Sequence, residues 1–396
     1  MQIRVIPAAK GIPALNLARF VAAIGVVCFH YLRHSIEPGT LQNVFGSGYA
    51  GVSFFFILSG FVLVLATRDL GAPRAIHDFF VRRIARIYPV YCLAWVLFGT
   101  CLLLTQLPSG PLSYYVLTRY AFFGLSSLLL VQQWLPGVAQ YWNWPGWSLS
   151  VEAFFYATFP LLFAATRRWR VRTLVAVLIL MLVLVAVQTA IAQGGNHPLL
   201  AGTVLATSWE DFALGLPISQ LPLFVSGIVL ARLYQQGVVV RIRGGWIVAG
   251  LLVLSAFMCG ARTMVAGLPR DAWLPPVFVL LIAALATTRL ADKGLVARSC
   301  MLLGWASYSL YILQSPLWRL YWLAQGKDAG VVYSVKEVLP FVVLLIGVSV
   351  AVYWFFERPT EKWIKGRFGG SPRRKPEAPR LHLPFPFPKR STLPRG

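Results

Sequence analysis

Residues 13–31 read PALNLARFVAAIGVVCFHY and form the first long apolar stretch of the chain. A helix that crosses a bilayer needs about 20 predominantly apolar residues, so this stretch is long enough to span. It nevertheless carries Arg19 and His30, although a charge at mid-bilayer costs at least ~2.5–3.5 kcal/mol. The step from Arg19 to His30 returns a helix to within about 20° of the same face, roughly 16 Å further along its axis. Both side chains are therefore predicted to point into the protein interior, at different depths.

The composition is that of an all-α polytopic membrane protein. Of 396 residues, 58% are hydrophobic and only 12% are charged, with a mean hydropathy of +0.68, whereas a soluble globular domain carries about 25% charged residues. The net charge of +23 does not indicate nucleic-acid binding, because the basic residues lie between apolar segments, as the positive-inside rule predicts. The five cysteines are scattered and show no metal-ligand spacing.

Basic clusters that should all face the cytoplasm determine how many apolar segments cross the membrane. The clusters around Arg86 and Arg167 require an even number of crossings between them, but three apolar segments lie there. Segment 115–132 carries Arg119 and Gly124, and we predict that it is re-entrant or interfacial and packed against protein. About ten transmembrane helices then place both termini in the cytoplasm. The predicted spans are 13–33, 45–66, 87–107, 147–165, 172–192, 214–233, 246–266, 274–290, 302–323 and 337–356.

The domain organisation follows from the same pattern. Residues 1–365 are predicted to form a single transmembrane domain. Residues 366–396 are rich in Pro, Gly, Lys and Arg, and we expect a disordered, basic cytoplasmic tail that lies near anionic lipid headgroups. The first apolar stretch lacks a cleavage site and is expected to remain as an anchor.

His30 is the first candidate for chemistry. A neutral imidazole can take a proton from an attacking hydroxyl or attack a thioester itself. The alternative is a buried histidine that is hydrogen-bonded to a neighbouring helix. For Arg19, the alternative to a functional role is a side chain that extends to the inner headgroups.

The run WSLSVEAFFY, residues 147–156, provides a second candidate site. Ser148 suits a helix N-cap, and Ser148, Glu152 and Tyr156 recur on one face of the predicted helix. Topology places Glu152 at a depth similar to that of His30, where a carboxylate could orient the imidazole. The alternative is a glutamate that faces an external, water-filled vestibule.

The run RRIARIYP, residues 82–89, lies on the predicted inner side just before a span. Arg82, Arg83 and Arg86 fall within about one helical turn and form a strong anion site, which suits the phosphates of a nucleotide-bearing donor. Ordinary positive-inside topology also explains a basic loop here.

Together these segments resemble the membrane-bound acyltransferase-3 family, integral-membrane O-acyltransferases that act on surface carbohydrates. The resemblance covers roughly residues 13–358, and the motifs occur in the family's order. They are Arg19 and His30 separated by ten residues, SFFFILSGF (53–61), RRIARIYP (82–89), WSLSVEAFFY (147–156), SYSLY (307–311) and FERP (356–359). Two positions depart from the family pattern: Asn16 stands where an Asp is common, and Gln314 stands where a His often follows SYSLY.

The resemblance implies acyl transfer, by default acetyl, from cytoplasmic acyl-CoA to a hydroxyl of a cell-surface or exported carbohydrate or lipid-linked glycan. His30 would be the base or acyl carrier, and Glu152 would tune it or position the acceptor. Arg19, Arg82, Arg83 and Arg86 would hold the donor. Trp147, Ser148 and Tyr156 would contact the substrate.

The same resemblance implies a bacterial inner membrane location. A periplasmic partner that completes transfer would be a separate chain. No bound metal or permanent cofactor is expected.

The main alternative is a proton-coupled transporter or flippase of glycan intermediates or acyl groups, because buried Arg, His and Glu also suit a proton relay. The sequence shows no internal repeat of the kind that many transporters have, and its anion-binding cluster lies on one side only. These two features favour an enzyme.

Overall fold

A computed structural model describes residues 12–106, 114–139, 141–194, 213–239, 244–260, 270–288 and 294–370. Within these ranges every regular element is helical, which confirms the predicted fold class. The α-helices are α1 (Pro13–Tyr31), α2 (Thr40–Gly46), α3 (Gly51–Ala66), α4 (Pro73–Gln106), α5 (Tyr114–Leu128), α6 (Trp147–Thr166), α7 (Val171–Gly194), α8 (Pro217–Gln235), α9 (Gly244–Gly260), α10 (Arg270–Thr287), α11 (Leu295–Leu323), α12 (Val335–Val352) and α13 (Arg358–Phe368).

Among the described residues, seven helical segments are long and apolar enough to cross a membrane. Three further predicted spans coincide with α9, α10 and α11, and their crossing remains a prediction. The seven segments are Pro13–Tyr31, Thr40–Ala66, Pro73–Thr105, Trp144–Thr166, Val171–Ile191, Pro217–Gln235 and Val335–Phe368.

The segment predicted to be re-entrant forms a short helix, α5, whose 15 residues would rise only about 22 Å at 1.5 Å per residue. Its backbone acceptors are satisfied by neighbouring helices. Trp95 Nε1 donates to the Gly124 carbonyl at 2.8 Å, Tyr91 Oη donates to the Ser127 carbonyl at 2.6 Å, and Ser150 Oγ donates to the Leu130 carbonyl at 2.6 Å. The segment is therefore packed against protein, as irregular backbone within a membrane requires.

Contacts between loops support the predicted parity of crossings. Arg167 lies 3.7 Å from Asp69, so the chain reaches the same end of the bundle before α4 and after α6. The Gly370 amide donates to Asp78 at 2.9 Å, which places the end of α13 at that same end. An even number of crossings between these points is consistent with an α5 that does not span.

The bundle is held together by close helix crossings at small residues, as is usual between membrane helices. A Cβ on Gly227 of α8 would lie 1.9 Å from the Ile57 carbonyl of α3, and one on Gly60 would lie 2.2 Å from the Phe224 carbonyl. A Cβ on Gly304 of α11 would lie 2.4 Å from Asn16 Cβ of α1. Helix α3 therefore packs closely against α8, and α1 against α11, with their backbones in direct contact.

The C-terminal helices run continuously from α12 through one π-helical turn, Tyr353–Glu357, into α13. The predicted domain boundary at residue 366 falls within α13. The prediction of a disordered tail concerns residues that, beyond 370, lie outside those described.

Candidate active site

The outer part of the candidate site is centred on His30, near the C-terminal end of α1. Its Nδ1 lies 2.9 Å from Oε1 of Gln314 on α11. The Trp144 ring lies edge-on, with 3.8 Å between the ring centroids. The imidazole is half-buried, so it is held by neighbouring helices but remains accessible.

Gln314 is itself fixed by a short chain of hydrogen bonds. It is fully buried, and its Nε2 donates to the Tyr311 carbonyl at 2.7 Å. The Tyr311 hydroxyl lies 2.9 Å from Ser148 Oγ, and Ser148 Oγ also contacts the Pro145 carbonyl at 3.1 Å. This network connects the start of α6 to the imidazole of α1.

The prediction that Ser148 caps α6 is wrong. The helix begins at Trp147, with Gly146 at the N-cap position and no side-chain cap. Pro145 and Gly146 already turn the chain as a short 3₁₀ segment, so the helix starts two residues earlier than a Ser148 cap would require, and the Ser148 hydroxyl is left to bond with Tyr311.

The inner part of the candidate site is centred on Glu152, one turn further along α6. Glu152 Oε1 accepts hydrogen bonds from Tyr156 Oη and, at 3.3 Å, from Ser59 Oγ of α3. The predicted shared face of Glu152 and Tyr156 is therefore confirmed. Glu152 interacts electrostatically with Arg19, about three turns before His30 on α1, so the prediction that it lies at a depth similar to that of His30 is wrong. The hydrogen-bond partner of His30 is Gln314. The role of Glu152 towards the imidazole stays a prediction.

Arg19 faces this inner group. It interacts electrostatically with Arg86, Glu152, Tyr156 and Arg83. Its Nε is buried and has no hydrogen-bond partner among the described residues. Arg19 and His30 lie on the continuous helix α1 and face the interior at different depths. This arrangement is consistent with their predicted common orientation.

The three arginines of residues 82–89 lie within the continuous helix α4, which begins well before the predicted span, and their surroundings differ. Arg86 forms an ion pair with Glu357, whose side chain is fully buried. Glu357 Oε2 also accepts from Ser309 Oγ at 2.5 Å. The charge of Arg86 is therefore already balanced within the protein.

The surroundings of Arg83 and Arg82 differ from those of Arg86. The Arg83 guanidinium lies 5.8 Å from the centre of the Tyr156 ring, and its Nε is buried without a partner among the described residues. Arg82 is exposed. Of the predicted anion-binding arginines, Arg19 and Arg83 thus lie beside Glu152 and Tyr156, Arg86 is engaged by Glu357, and Arg82 faces outward.

Trp147 lies at the edge of the site and not within either group. It is half-buried, and its ring centroid lies 6.1 Å from that of Phe56. Its predicted substrate contact is not tested by this geometry.

Several residues of the site were missing from the sequence-based assignment: Gln314 as a partner of His30, Trp144 against its ring, Tyr311, and Glu357 as the partner of Arg86. Tyr311 and Glu357 belong to the SYSLY and FERP motifs. The motifs therefore indicated these positions, but no function was predicted for either residue. Asn16, the other departure from the family pattern, is buried and its Nδ2 contacts Met301 Sδ at 2.9 Å.

These features define a multi-pass membrane protein with an internal site. The site contains the imidazole of His30 and, further towards the start of α1, a cluster of arginines and carboxylates. The chain belongs to the acyltransferase-3 family, since the profile of its acyltransferase domain matches residues 12–358. The chain is 31% identical over 350 residues to the acyltransferase MdmB of Streptomyces mycarofaciens, covering 82% of this chain and 83% of that one.

Two further relatives are an exopolysaccharide production protein and an O-acetyltransferase. The exopolysaccharide production protein ExoZ of Rhizobium meliloti is 29% identical over 328 residues, covering 80% of this chain and 90% of ExoZ. The O-acetyltransferase OatA of Staphylococcus aureus is 25% identical, and the match covers 94% of this chain but only 61% of OatA. No solved structure matches the chain. The family and these relatives establish the chain as an O-acyltransferase.

Proposed function

We propose that this enzyme transfers an acyl group, by default acetyl, from acyl-CoA on the cytoplasmic side to a hydroxyl of a cell-surface or exported carbohydrate. The observation that carries the proposal is the order of groups along α1. Arg19 lies among Arg83, Arg86 and Glu152, and His30 lies about three turns further along the same helix with Gln314 and Trp144.

The inner group has the charge that an anionic donor requires. Three guanidiniums, of Arg19, Arg83 and Arg86, accompany two carboxylates, of Glu152 and Glu357. With these groups in their ordinary charge states, one positive charge is left over in a partly buried site. Because Arg86 is paired, Arg19 and Arg83 are the arginines available to phosphate, which guanidinium groups bind in a bidentate manner.

The outer group supplies the chemistry. In the direct route, the imidazole of His30 takes the proton of an acceptor hydroxyl as its oxygen attacks the thioester carbonyl. The carbon–sulfur bond then breaks, and the proton passes to the departing thiolate. In the alternative route, the imidazole attacks the thioester carbonyl, and the carbon–sulfur bond breaks as CoA leaves as a thiolate. The acceptor hydroxyl then attacks the acyl-imidazole, which releases the imidazole, and the hydroxyl proton passes to the thiolate.

The acceptor class is proposed from the relatives. ExoZ is named for exopolysaccharide production and OatA as an O-acetyltransferase. We expect a carbohydrate or lipid-linked glycan to approach from the end of the bundle opposite Asp69 and Arg167, where the His30 end of α1 lies. A separate periplasmic protein would complete transfer if the first acceptor is an intermediate carrier.

His30→Ala tests the proposal. We expect the variant to insert and purify as the wild type does but to lose O-acetylation, because general acid–base catalysis by a single group contributes about 10²–10⁴-fold. The measurements are release of free thiol from acetyl-CoA by purified protein, and O-acetyl signals in the NMR spectrum of the cell's surface glycan.

His34→Ala is the matched control, because His34 lies four residues beyond His30, is exposed and, within the part of the chain that the structure describes, is hydrogen-bonded to Arg33 alone. It should retain activity. Full O-acetylation of the glycan in cells that carry only the His30→Ala protein would contradict the proposed role of His30.

A further inference from the structure

The orientation of the Gln314 amide follows from its second partner. The Tyr311 carbonyl oxygen, 2.7 Å from Gln314 Nε2, can only accept a hydrogen bond, so the amide must turn its NH₂ group towards it. Gln314 Oε1 therefore faces His30 Nδ1 at 2.9 Å. Since an amide oxygen can only accept, Nδ1 of His30 must carry the hydrogen.

The neutral imidazole then has its lone pair on the other nitrogen. His30 Nε2 makes no hydrogen bond with a described residue and is not among the fully buried polar atoms that lack a partner. It is therefore open to a molecule that enters the site. One ring nitrogen is held by the protein, and the other is left available for proton transfer or acyl transfer.

We propose that Gln314 is a positioning residue that locks His30 in the Nδ1–H tautomer, so that Nε2 is the nitrogen that reacts. The proposal rests on the proposed function of His30 and adds the atom that acts. An amide side chain neither gains nor loses a proton near neutral pH. Gln314 therefore does not relay protons.

The experiment uses the full-length protein in detergent, labelled with ¹⁵N only at histidine. The imidazole nitrogen shifts distinguish a nitrogen that carries hydrogen from one that does not, and the signal missing in His30→Ala assigns His30 among the five histidines. We expect wild-type His30 to show one neutral form with hydrogen on Nδ1. Gln314→Met has a similar length but offers only a weakly accepting thioether in place of the amide oxygen, and it should shift the ring to a mixture or to the Nε2–H form.

Gln314→Glu is the conservative variant, because a carboxyl group in either protonation state still presents an oxygen to Nδ1–H. It should retain the Nδ1–H form that Gln314→Met loses. Gln325→Met is the matched control. Gln325 also donates to a backbone carbonyl, that of Tyr321 at 3.2 Å, but it is exposed and has no histidine partner.

The kinetic readout is hydrolysis of acetyl-CoA by the same preparations. General base catalysis is worth about 10²–10⁴-fold, and loss of the preferred tautomer should remove part of it, so we expect kcat of Gln314→Met to fall by about 10-fold. KM for acetyl-CoA should stay within about 2-fold, because the donor phosphates bind at the inner arginines and not at His30.

Three outcomes would overturn the proposal: hydrogen on Nε2 in the wild type, an unchanged His30 spectrum in Gln314→Met, or a loss of activity in that variant that appears in KM alone. The nitrogen shifts are measured without donor or acceptor. Failure of the tautomer assignment is therefore distinguishable from failure of the proposed acyl transfer, which His30→Ala tests.

Discussion

At the scale of single residues, the pair formed by Arg86 and Glu357 shows how a motif residue acquires a structural role. Glu357 is fully buried, and its two oxygens are taken by Arg86 and Ser309. Removal of one member of a buried ion pair leaves an uncompensated charge, whereas replacement of both by apolar residues is often tolerated. Arg86 is therefore expected to contribute to stability as well as to the charge of the site.

We predict that Glu357→Ala lowers the stability of the protein by about 3–5 kcal/mol, since it leaves the Arg86 guanidinium unpaired. The double replacement Arg86→Met with Glu357→Met should recover much of that loss. Thermal unfolding of purified protein in detergent, followed by tryptophan fluorescence, measures both effects.

The control for this prediction is Asp69→Asn, which breaks the exposed pair with Arg167. An exposed ion pair contributes about 0–1 kcal/mol, so the unfolding temperature should barely change. Equal effects of Glu357→Ala and Asp69→Asn would contradict the interpretation of Glu357 as a buried counter-charge.

The neighbouring residues Arg82 and Arg83 provide a second residue-scale prediction. Arg83→Gln should raise KM for acetyl-CoA by about 10-fold or more, because a hydrogen bond to a charged group contributes about 1.5–3 kcal/mol. Arg82 is exposed, so Arg82→Gln should leave KM nearly unchanged. Steady-state kinetics of the two purified variants measure both KM values. A larger rise in KM for Arg82→Gln than for Arg83→Gln would contradict the proposed role of Arg83 in donor binding.

At the scale of helices, the crossing of α3 and α8 positions Ser59 beside Glu152. Gly60, the next residue, meets the α8 backbone, and Gly227 meets the α3 backbone. A methyl group at either site would strike main-chain atoms, which cannot rotate away as a side chain can. The position of α3 in the site therefore depends on two glycines.

We predict that Gly227→Ala destabilises the protein by about 1–3 kcal/mol or more, because overpacking of a close-packed interior has that cost. Gly250→Ala on α9 is the control, since a Cβ there would meet nothing within 4 Å. Alanine is the better helix former, so the control should match or exceed the wild type. Size-exclusion profiles and unfolding temperatures in detergent measure the difference, and an unaffected Gly227→Ala would show that the crossing is looser than described.

At the scale of the whole molecule, the ion pair of Asp69 with Arg167 and the bond of Gly370 with Asp78 place three parts of the chain at one end of the bundle. Gly48 lies beside Gly25 of α1, and Gly51 lies beside Ala22, so α1 and α3 run antiparallel and the end of α1 near His30 lies at the other end of the bundle. From positive-inside bias we propose that the arginine-rich end faces the cytoplasm. This arrangement would present the inner arginines to a cytoplasmic donor and His30 to an external acceptor.

Labelling of introduced cysteines tests this topology. His34→Cys should react with an impermeant maleimide in intact cells or spheroplasts, whereas Arg168→Cys should react only after the membrane is permeabilised. Both positions are exposed, so access to reagent decides the result. Labelling of both positions from the same side would contradict an odd number of crossings between them.

Much of this architecture was predictable from the sequence because local physics determines it. Hydropathy and length identify helices such as α1 and α7. That 115–132 does not cross stays a prediction from the charge between segments. The common face of Glu152 and Tyr156 follows from helical periodicity alone. The start of α6 was misplaced because turn chemistry at Pro145 and Gly146 competes with the capping preference of serine.

The sequence by itself determined the helical membrane fold, the family, and the choice of His30, Arg19 and Glu152 as candidates, since buried titratable groups in apolar helices are costly and therefore conspicuous. Only the tertiary structure decided their surroundings: Gln314 at His30, Glu357 at Arg86, and, at Arg19 and Arg83, a buried Nε without a hydrogen-bond partner among the described residues. The reason is that partners such as Gln314 lie hundreds of residues away from the group they contact. No local pattern reports which side chains helix packing brings within hydrogen-bonding distance.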